Sequence, residues 1–427
     1  MEEKEAGHAV PEETSPKVPV EVNPVPGKSG YQPPEGGTRA WLVVLGSTLA
    51  LFSTLGYVNS FGVYQEYYST HQLRDRSASS IAWIGSIQVF FQFSSGVVAG
   101  PLFDRHGEKI MWFPCVTYTF AIMMTSLCKE YYQFILAQGI LSGISSGLIF
   151  TVAVSVPNHY FRRNIGAAVG IIVAGSSLGG VIFPITLNQL LNLSTIGFGW
   201  SVRICGFINV GLLSLSCLTI KAAARNMGRK PDPASFKRPV FYLTTIASFF
   251  LVWGMFVPYF YLPVYSIQRG MSADLASYLI AIMNAASLFG RVLPGMAADR
   301  LGRYNLWLVA CFSSGILLLC WGATKSNAAI LVFAILFGFF SGAIISLMNA
   351  CVAQITPDPR QIGAHIGVLS FICGFAGLSG SPISGAIATE YNSYVDSGYF
   401  GGASMILGAF IVVAARLGPK ERKLKVF

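Results

Sequence analysis

Two short segments carry residue types that can hold charge in a fixed geometry. Gly100-Pro101-Leu102-Phe103-Asp104-Arg105-His106-Gly107 and Gly295-Met296-Ala297-Ala298-Asp299-Arg300-Leu301-Gly302 both read G-x-x-x-D-R-x-G. Each sets a carboxylate beside a guanidinium and ends on a glycine, which accepts backbone angles that other residues resist. An Asp-Arg pair can engage neighbouring helix ends, which carry partial charges, and such contacts can be made in one conformation and broken in another. The chemistry expected of Gly100, Asp104, Arg105, Gly107, Asp299, Arg300 and Gly302 is therefore gating, not catalysis. A further cation, Arg291, precedes Asp299 by eight residues, about 12 Å of helix. Its planar fork suits a carboxylate. Asn284, seven residues before Arg291, shares its helix face. Tyr57, Asn59 and Tyr261 are the other polar candidates for lining the same cavity, with interhelical hydrogen bonding as the competing role.

Other chemistry finds little support. No P-loop is present, so nucleotide hydrolysis does not drive this chain. His71 and Asp75 lie close together without a further catalytic constellation. The eight cysteines (Cys115, Cys128, Cys205, Cys217, Cys311, Cys320, Cys351 and Cys373) fall in or beside apolar runs and form no CxxC pair. They read as small apolar fillers, with no disulfide framework and no metal. The net charge of +10 is dispersed between apolar runs rather than gathered in a basic stripe, which argues against nucleic acid. The expectation is a protein that is not an enzyme and uses no cofactor.

The elements that must position these residues are membrane helices. Only 11% of the 427 residues are charged and 53% are hydrophobic, so most of the surface must face lipid. The 45 glycines suit closely packed helices. Apolar runs long enough to span recur over residues 41–64, 79–101, 110–128, 132–156, 164–191, 200–220, 240–265, 274–297, 305–323, 327–350, 362–388 and 397–415. The thinnest separations are Lys129-Glu130 and Lys325-Ser326. Among Lys and Arg only Arg203 and Arg291 fall inside these spans, and among Asp and Glu only Asp274, the first residue of its span. Arg203 sits near a span end, from which it can snorkel. A charge near the bilayer centre costs about 2.5–3.5 kcal/mol, which makes Arg291 the functional candidate.

The chain also repeats itself. Ile165-Gly166-Ala167-Ala168-Val169-Gly170 corresponds to Ile362-Gly363-Ala364-His365-Ile366-Gly367, and Phe183-Pro184-Ile185 to Ser381-Pro382-Ile383. These pairs and the Asp-Arg pair share an offset of 195 to 198 residues, the mark of a duplicated six-helix unit. The expected fold is an all-α membrane protein of twelve transmembrane helices in two six-helix halves related by a parallel repeat. The organisation reads as a disordered tail over 1–38, a half over 39–220, a basic linker over 221–239, a half over 240–416 and a basic tail over 417–427. Residues 1–38 contain no apolar run and do not read as a signal peptide.

The two G-x-x-x-D-R-x-G segments resemble the signature loop of the major facilitator superfamily. Glu35-Gly36-Gly37-Thr38-Arg39-Ala40-Trp41 is similar to the acidic-Gly-Gly-aromatic lead-in to the first helix of its monocarboxylate porters, with one extra residue. Tyr160-Phe161-Arg162-Arg163 with Gly166, Ala167 and Gly170 resembles that family's signature before the fifth helix, and Gly290-Arg291 with Pro294-Gly295 its eighth. The wording of 34–41 and of Asn59-Ser60-Phe61-Gly62-Val63-Tyr64 is most similar to the fungal branch. The resemblance implies alternating access and a small organic acid, vitamin or acidic secondary metabolite as substrate. Two departures matter. The lactate carriers' first-helix lysine falls on Asn59, and the aspartate four residues before the helix-8 arginine falls on Ser287. Lactate specificity and its coupling therefore do not carry over.

The expected protein is a secondary active or facilitative transporter of the monocarboxylate-porter type that binds an anionic substrate at Arg291, with a larger acidic metabolite favoured over lactate and export slightly over uptake. Proton coupling stays open, and no obligate protein partner is evident. Uptake of a monocarboxylate or vitamin is the alternative, and a non-transporting nutrient sensor on the same fold is the more distant one.

Orientation follows from basic residues. Arg105, Lys109, Arg162, Arg163, Arg300, Arg303 and Arg360, the linker cluster Lys221, Arg225, Arg229, Lys230, Lys237 and Arg238, and the C-terminal basic residues fall on one side. Arg74, Arg76, Lys129, Arg269 and Lys325 fall on the other. The positive-inside rule places the richer side, with both termini, in the cytoplasm, and the plasma membrane is the expected location. Tags at either end should react with antibody only after cells are permeabilised. A tag reached in intact cells at either end would overturn this orientation.

Overall fold

The computed structural model describes residues 33–193, 195–223, 236–356, 358, 361–391 and 393–417, and every regular element among them is helical. Most of the expected N-terminal tail, most of the basic linker and all but the first residue of the C-terminal tail lie outside the described residues. Ten helical runs are long and apolar enough to cross a membrane. One of them, Ser80–Thr125, has 46 residues, about twice what a bilayer needs, and is two crossings. The shorter apolar helix Arg303–Leu319 brings the crossings to twelve. In chain order they are α1 (Thr38–Thr70), α2 (Ala78–Ser94 continued by Gly96–His106), α3 (Trp112–Thr125), α4 (Tyr131–His159), α5 (Ile165–Leu191) and α6 (Gly197–Thr219). The second half has α7 (Pro239–Gln268), α8 (Leu275–Leu301), α9 (Arg303–Leu319), α10 (Asn327–Ile355), α11 (Ile362–Glu390) and α12 (Tyr394–Leu417).

Local chemistry sets the helix ends. Gly107 at φ 67° and Gly302 at φ 91° turn the chain after α2 and α8 in a region that side-chain-bearing residues avoid. Both helices therefore run past the ends expected from hydropathy, and Asp104 and Asp299 lie in their last turns rather than in loops. The two thin separations are capped. Glu130 and Gln133 form a capping box before α4, and the Ser326 side chain accepts from the Ala329 amide at 3.2 Å to start α10.

Two helices break in mid-course. α1 is interrupted at Thr54 and again at Asn59-Ser60, and α7 at Phe256, two residues before Pro258. Proline removes a ladder donor and crowds the preceding turn, which accounts for the break in α7. Asn59 and Phe256 are separated by nearly the repeat offset, so the breaks occupy corresponding places in the two halves. The outer surface is apolar: Phe113, Val116, Leu218 and Phe410 are all exposed.

The halves meet along α2 with α11 and α5 with α8, where glycines let backbones touch. A Cβ on Gly100 would fall 2.1 Å from the Gly363 carbonyl oxygen, and one on Gly170 2.4 Å from that of Arg291. Inside the second half, Gly290 packs the same way on α10, with the Phe339 carbonyl oxygen 1.9 Å from any added Cβ. Gly290→Ala should therefore force α8 and α10 apart at a cost of about 1–3 kcal/mol. Gly211→Ala, with nothing within 4 Å of the added methyl, should be neutral. Melting of the two purified variants measures the difference, and equal melting temperatures would contradict this packing.

Candidate gate and substrate site

The first-turn amides of a helix have no partner within that helix. In α5, Asn164 occupies the N-cap position but makes no side-chain cap, and Gln361 makes none for α11. The caps come from the opposite half. Asp299 of α8 accepts from the Gly166 amide at 2.9 Å through Oδ1 and from the Ala167 amide at 2.8 Å through Oδ2. Asp104 of α2 accepts from Gly363 at 3.2 Å and Ala364 at 2.8 Å. A carboxylate here also meets the positive end of the helix dipole, worth up to about 2 kcal/mol when partly buried.

The two clamps differ in their cations. Arg105 and Arg300 are exposed and pair with nothing among the described residues. The cation at the Asp299 clamp is Arg303, buried at the start of α9, with Nη2 3.1 Å from Asp299 Oδ1. The same Nη2 donates to the carbonyls of Arg162 at 2.9 Å and Arg163 at 3.3 Å, in the other half. At the matching place in the first half stands Glu108, which accepts from the Ala222 amide at 3.2 Å. Arg303 was counted above only among the basic residues of its side. The signal available was its place just after the second motif, where the first motif has an acid.

Arg291 is buried between the halves, only 6% exposed. Its Nη1 donates to the Val173 carbonyl of α5 at 2.7 Å and to the Ser176 hydroxyl. Its Nε is buried with no hydrogen-bond partner among the described residues. One turn further from the Asp299 clamp, the Ser177 hydroxyl donates to Ser287 at 3.1 Å, the position onto which the lactate carriers' aspartate falls. Asn284, a further turn along, donates to the Ile280 carbonyl at 3.1 Å and points at Gly180. Asn59, exposed at the break in α1, reaches the same glycine: a methyl on Gly180 would lie 2.7 Å from Asn59 Nδ2 and 3.1 Å from Asn284 Cγ. Asn59, Asn284 and Arg291 thus border one stretch of α5.

The two tyrosines lie elsewhere. The Tyr57 hydroxyl is bonded to Tyr64 and its ring meets Phe183 edge-on at 5.3 Å, packing inside the first half. Tyr261 stacks on Tyr394 at 5.7 Å inside the second half. Arg203 donates to the Ser126 hydroxyl at 3.1 Å and lies over Trp200, an arrangement that accounts for its charge locally.

Comparison with known proteins places this architecture. The sequence profile of the Major Facilitator Superfamily matches residues 40–331 and 295–426. The chain is 49% identical to the aspyridones efflux protein apdF of Emericella nidulans over 90% of its own length and 79% of that protein's. It is 43% identical to the MFS-type transporter pynF of Aspergillus niger over 94% and 93%. It is 41% identical to the agnestins efflux protein AgnL12 of Paecilomyces divaricatus over 91% and 90%. Among solved structures, the human organic anion transporter MFSD10 superposes with a TM-score of 0.69 over 89% of this chain and 100% of that one, at 16% identity, a likeness of fold. Profile, relatives and fold thus agree on the family of this helical bundle, and the chain belongs to the major facilitator superfamily as a multi-pass membrane transporter without enzymatic activity.

Proposed function

We propose that this chain exports an acidic secondary metabolite by alternating access, as a transporter of the monocarboxylate-porter type in the plasma membrane with the clamp end facing the cytoplasm. The observation that carries this reading is Arg291, a buried cation between the halves with no carboxylate among its hydrogen-bond partners. A guanidinium in that place is costly unless compensated, and a carbonyl with a hydroxyl compensates it less well than an anion. An acid group on the substrate would compete with Val173 and Ser176 for the fork, loosening α8 from α5 as it binds. The ligand would then favour the state in which the halves separate, because it interacts differently with the two states. The fungal relatives named as efflux proteins support export. Asn59 and Asn284 border the same path and would contact the substrate's uncharged parts.

Arg291→Lys keeps the charge but loses the planar fork, so it should raise KM about tenfold or more. Arg291→Ala should abolish export of an acidic substrate while surface expression persists. Vesicle transport assays test both, and normal export by Arg291→Ala would remove the anchor. Without a carboxylate paired to Arg291, pH dependence should follow the substrate. Flux curves for two substrates of different acidity should turn at different pH values, and a common turning point would show a titrating protein group instead.

The clamps carry the second test. Asp299→Asn should lower turnover more than Asp104→Asn, because it also strips the buried Arg303 of its counter-charge. Losing a charged hydrogen bond of about 1.5–3 kcal/mol corresponds to roughly a tenfold or larger shift between states. Equal and normal turnover in both variants would sink the gate reading.

A further inference from the structure

Glu35 is the one side-chain-bearing residue among the described residues with positive φ, at 56°. Gly36 and Gly37 follow at φ 132° and 92°. A non-glycine in the left-handed region is uncommon and needs something to hold it there. Here the holding contacts are those of its carboxylate. Oε1 accepts from the amides of Arg162 and Arg163, each at 2.9 Å, and Oε2 from that of Arg163 at 3.0 Å.

The peptide unit joining Arg162 to Arg163 is therefore bonded at both ends. Its N–H donates to Glu35, and its carbonyl accepts from Arg303 at 2.9 Å. An anion at the amide and a cation at the carbonyl polarise the unit in the same sense, so each contact strengthens the other. Three residues on, the Gly166 amide meets Asp299, which is itself paired with Arg303. The series runs without a gap from the lead-in of α1, through the turn before α5, to the end of α8 in the other half. Neighbouring contacts hold the turn from the first half alone: Trp41 meets Phe161 edge-on at 5.4 Å, and the Tyr160 hydroxyl donates to the Lys221 carbonyl at 2.9 Å. At the Asp104 clamp Glu108 stands where Arg303 would be.

We propose that Glu35 is a positioning residue of the gate: its carboxylate sets the Arg162-Arg163 turn so that Arg303 and Asp299 can close α8 onto the N-terminus of α5. It touches no substrate. Removing its charge should loosen the Asp299 clamp and leave the Asp104 clamp closed. This inference rests on the gate reading above.

Hydrogen exchange of the full-length protein, with no substrate present, tests it. Glu35→Gln should speed exchange at least threefold at the α8–α9 junction, over Leu301 to Arg303, as well as at Gly166 and Ala167. Exchange at Gly363 and Ala364 should not change. Glu35→Asp, which keeps the charge, should restore part of the protection. Arg39→Gln removes a different tether of the same lead-in, the bond from Arg39 Nη2 to the Thr219 carbonyl at 3.1 Å, and should leave the α8 end unchanged. In transport, a looser gate raises the population open to the cytoplasm, so KM and kcat should fall together, severalfold. The losses from Glu35→Gln and Asp299→Asn should not add. If exchange quickens only over residues 35–41 and 162–163, Glu35 merely tethers the lead-in and the proposal fails. If Asp299→Asn itself leaves exchange at Gly166 and Ala167 unchanged, the gate reading fails instead.

Discussion

Among the described residues, the first-turn amides of α5 and α11 receive no cap from their own N-cap side chains. A helix start that closes on itself with Ser, Thr, Asp or Asn has no need of a neighbour. Asn164 and Gln361 make no such cap, and Asp299 and Asp104 supply it from across the molecule. Association of the halves thus satisfies backbone groups that would otherwise need water or another donor-acceptor arrangement. The glycines around each clamp follow from this. Gly166 lies against Gly295, and Gly363 against Gly100, because a carboxylate reaches a helix's first amides only when the backbones are close.

Closure by caps would suit the alternating access proposed for this chain. Each bond joins a side chain to backbone amides that water can take over, so separation exchanges one set of hydrogen bonds for another. A core-like apolar interface would lose its contacts outright. The two clamps are nonetheless unequal. The Asp299 clamp contains a buried ion pair and a shared peptide unit, whereas among the described residues Asp104 accepts from amides alone. Breaking a buried pair leaves a charge stranded, so the α5–α8 contact is the more costly of the two to undo.

Arg291 lies in that same α5–α8 contact, about 12 Å from the clamp. Its bonds to Val173 and Ser176 tie the halves together at mid-depth, as Asp299 does at the end. A single helix pair therefore carries both Arg291 and the Asp299 clamp, with Pro294 of α8 between them. The breaks in α1 and α7 lie in corresponding places in the two halves, with Asn59 exposed at the first of them.

Hydropathy, repeat offset and the spacing of the Asp-Arg turns were enough to specify a twelve-helix duplicated bundle, because lipid demands long apolar runs and satisfied backbones whatever the tertiary details. The glycine turns at Gly107 and Gly302 were legible for the same kind of reason, since only the local backbone requires them. Side-chain partnerships were not. Arg300 and Arg303 are both arginines beside one motif, and only the approach of the other half distinguishes the exposed one from the buried one. Tyr57 and Asn59 are two residues apart, yet one packs inward and the other stands open at a break that no proline announces. Arg291 was recognisable as a buried cation from its distance along a helix, but its partners are a carbonyl and a hydroxyl on a distant segment. Periodicity and composition act along the chain and so can be read from it. Which charge meets which amide depends on how distant helices pack together, and that is decided only in three dimensions.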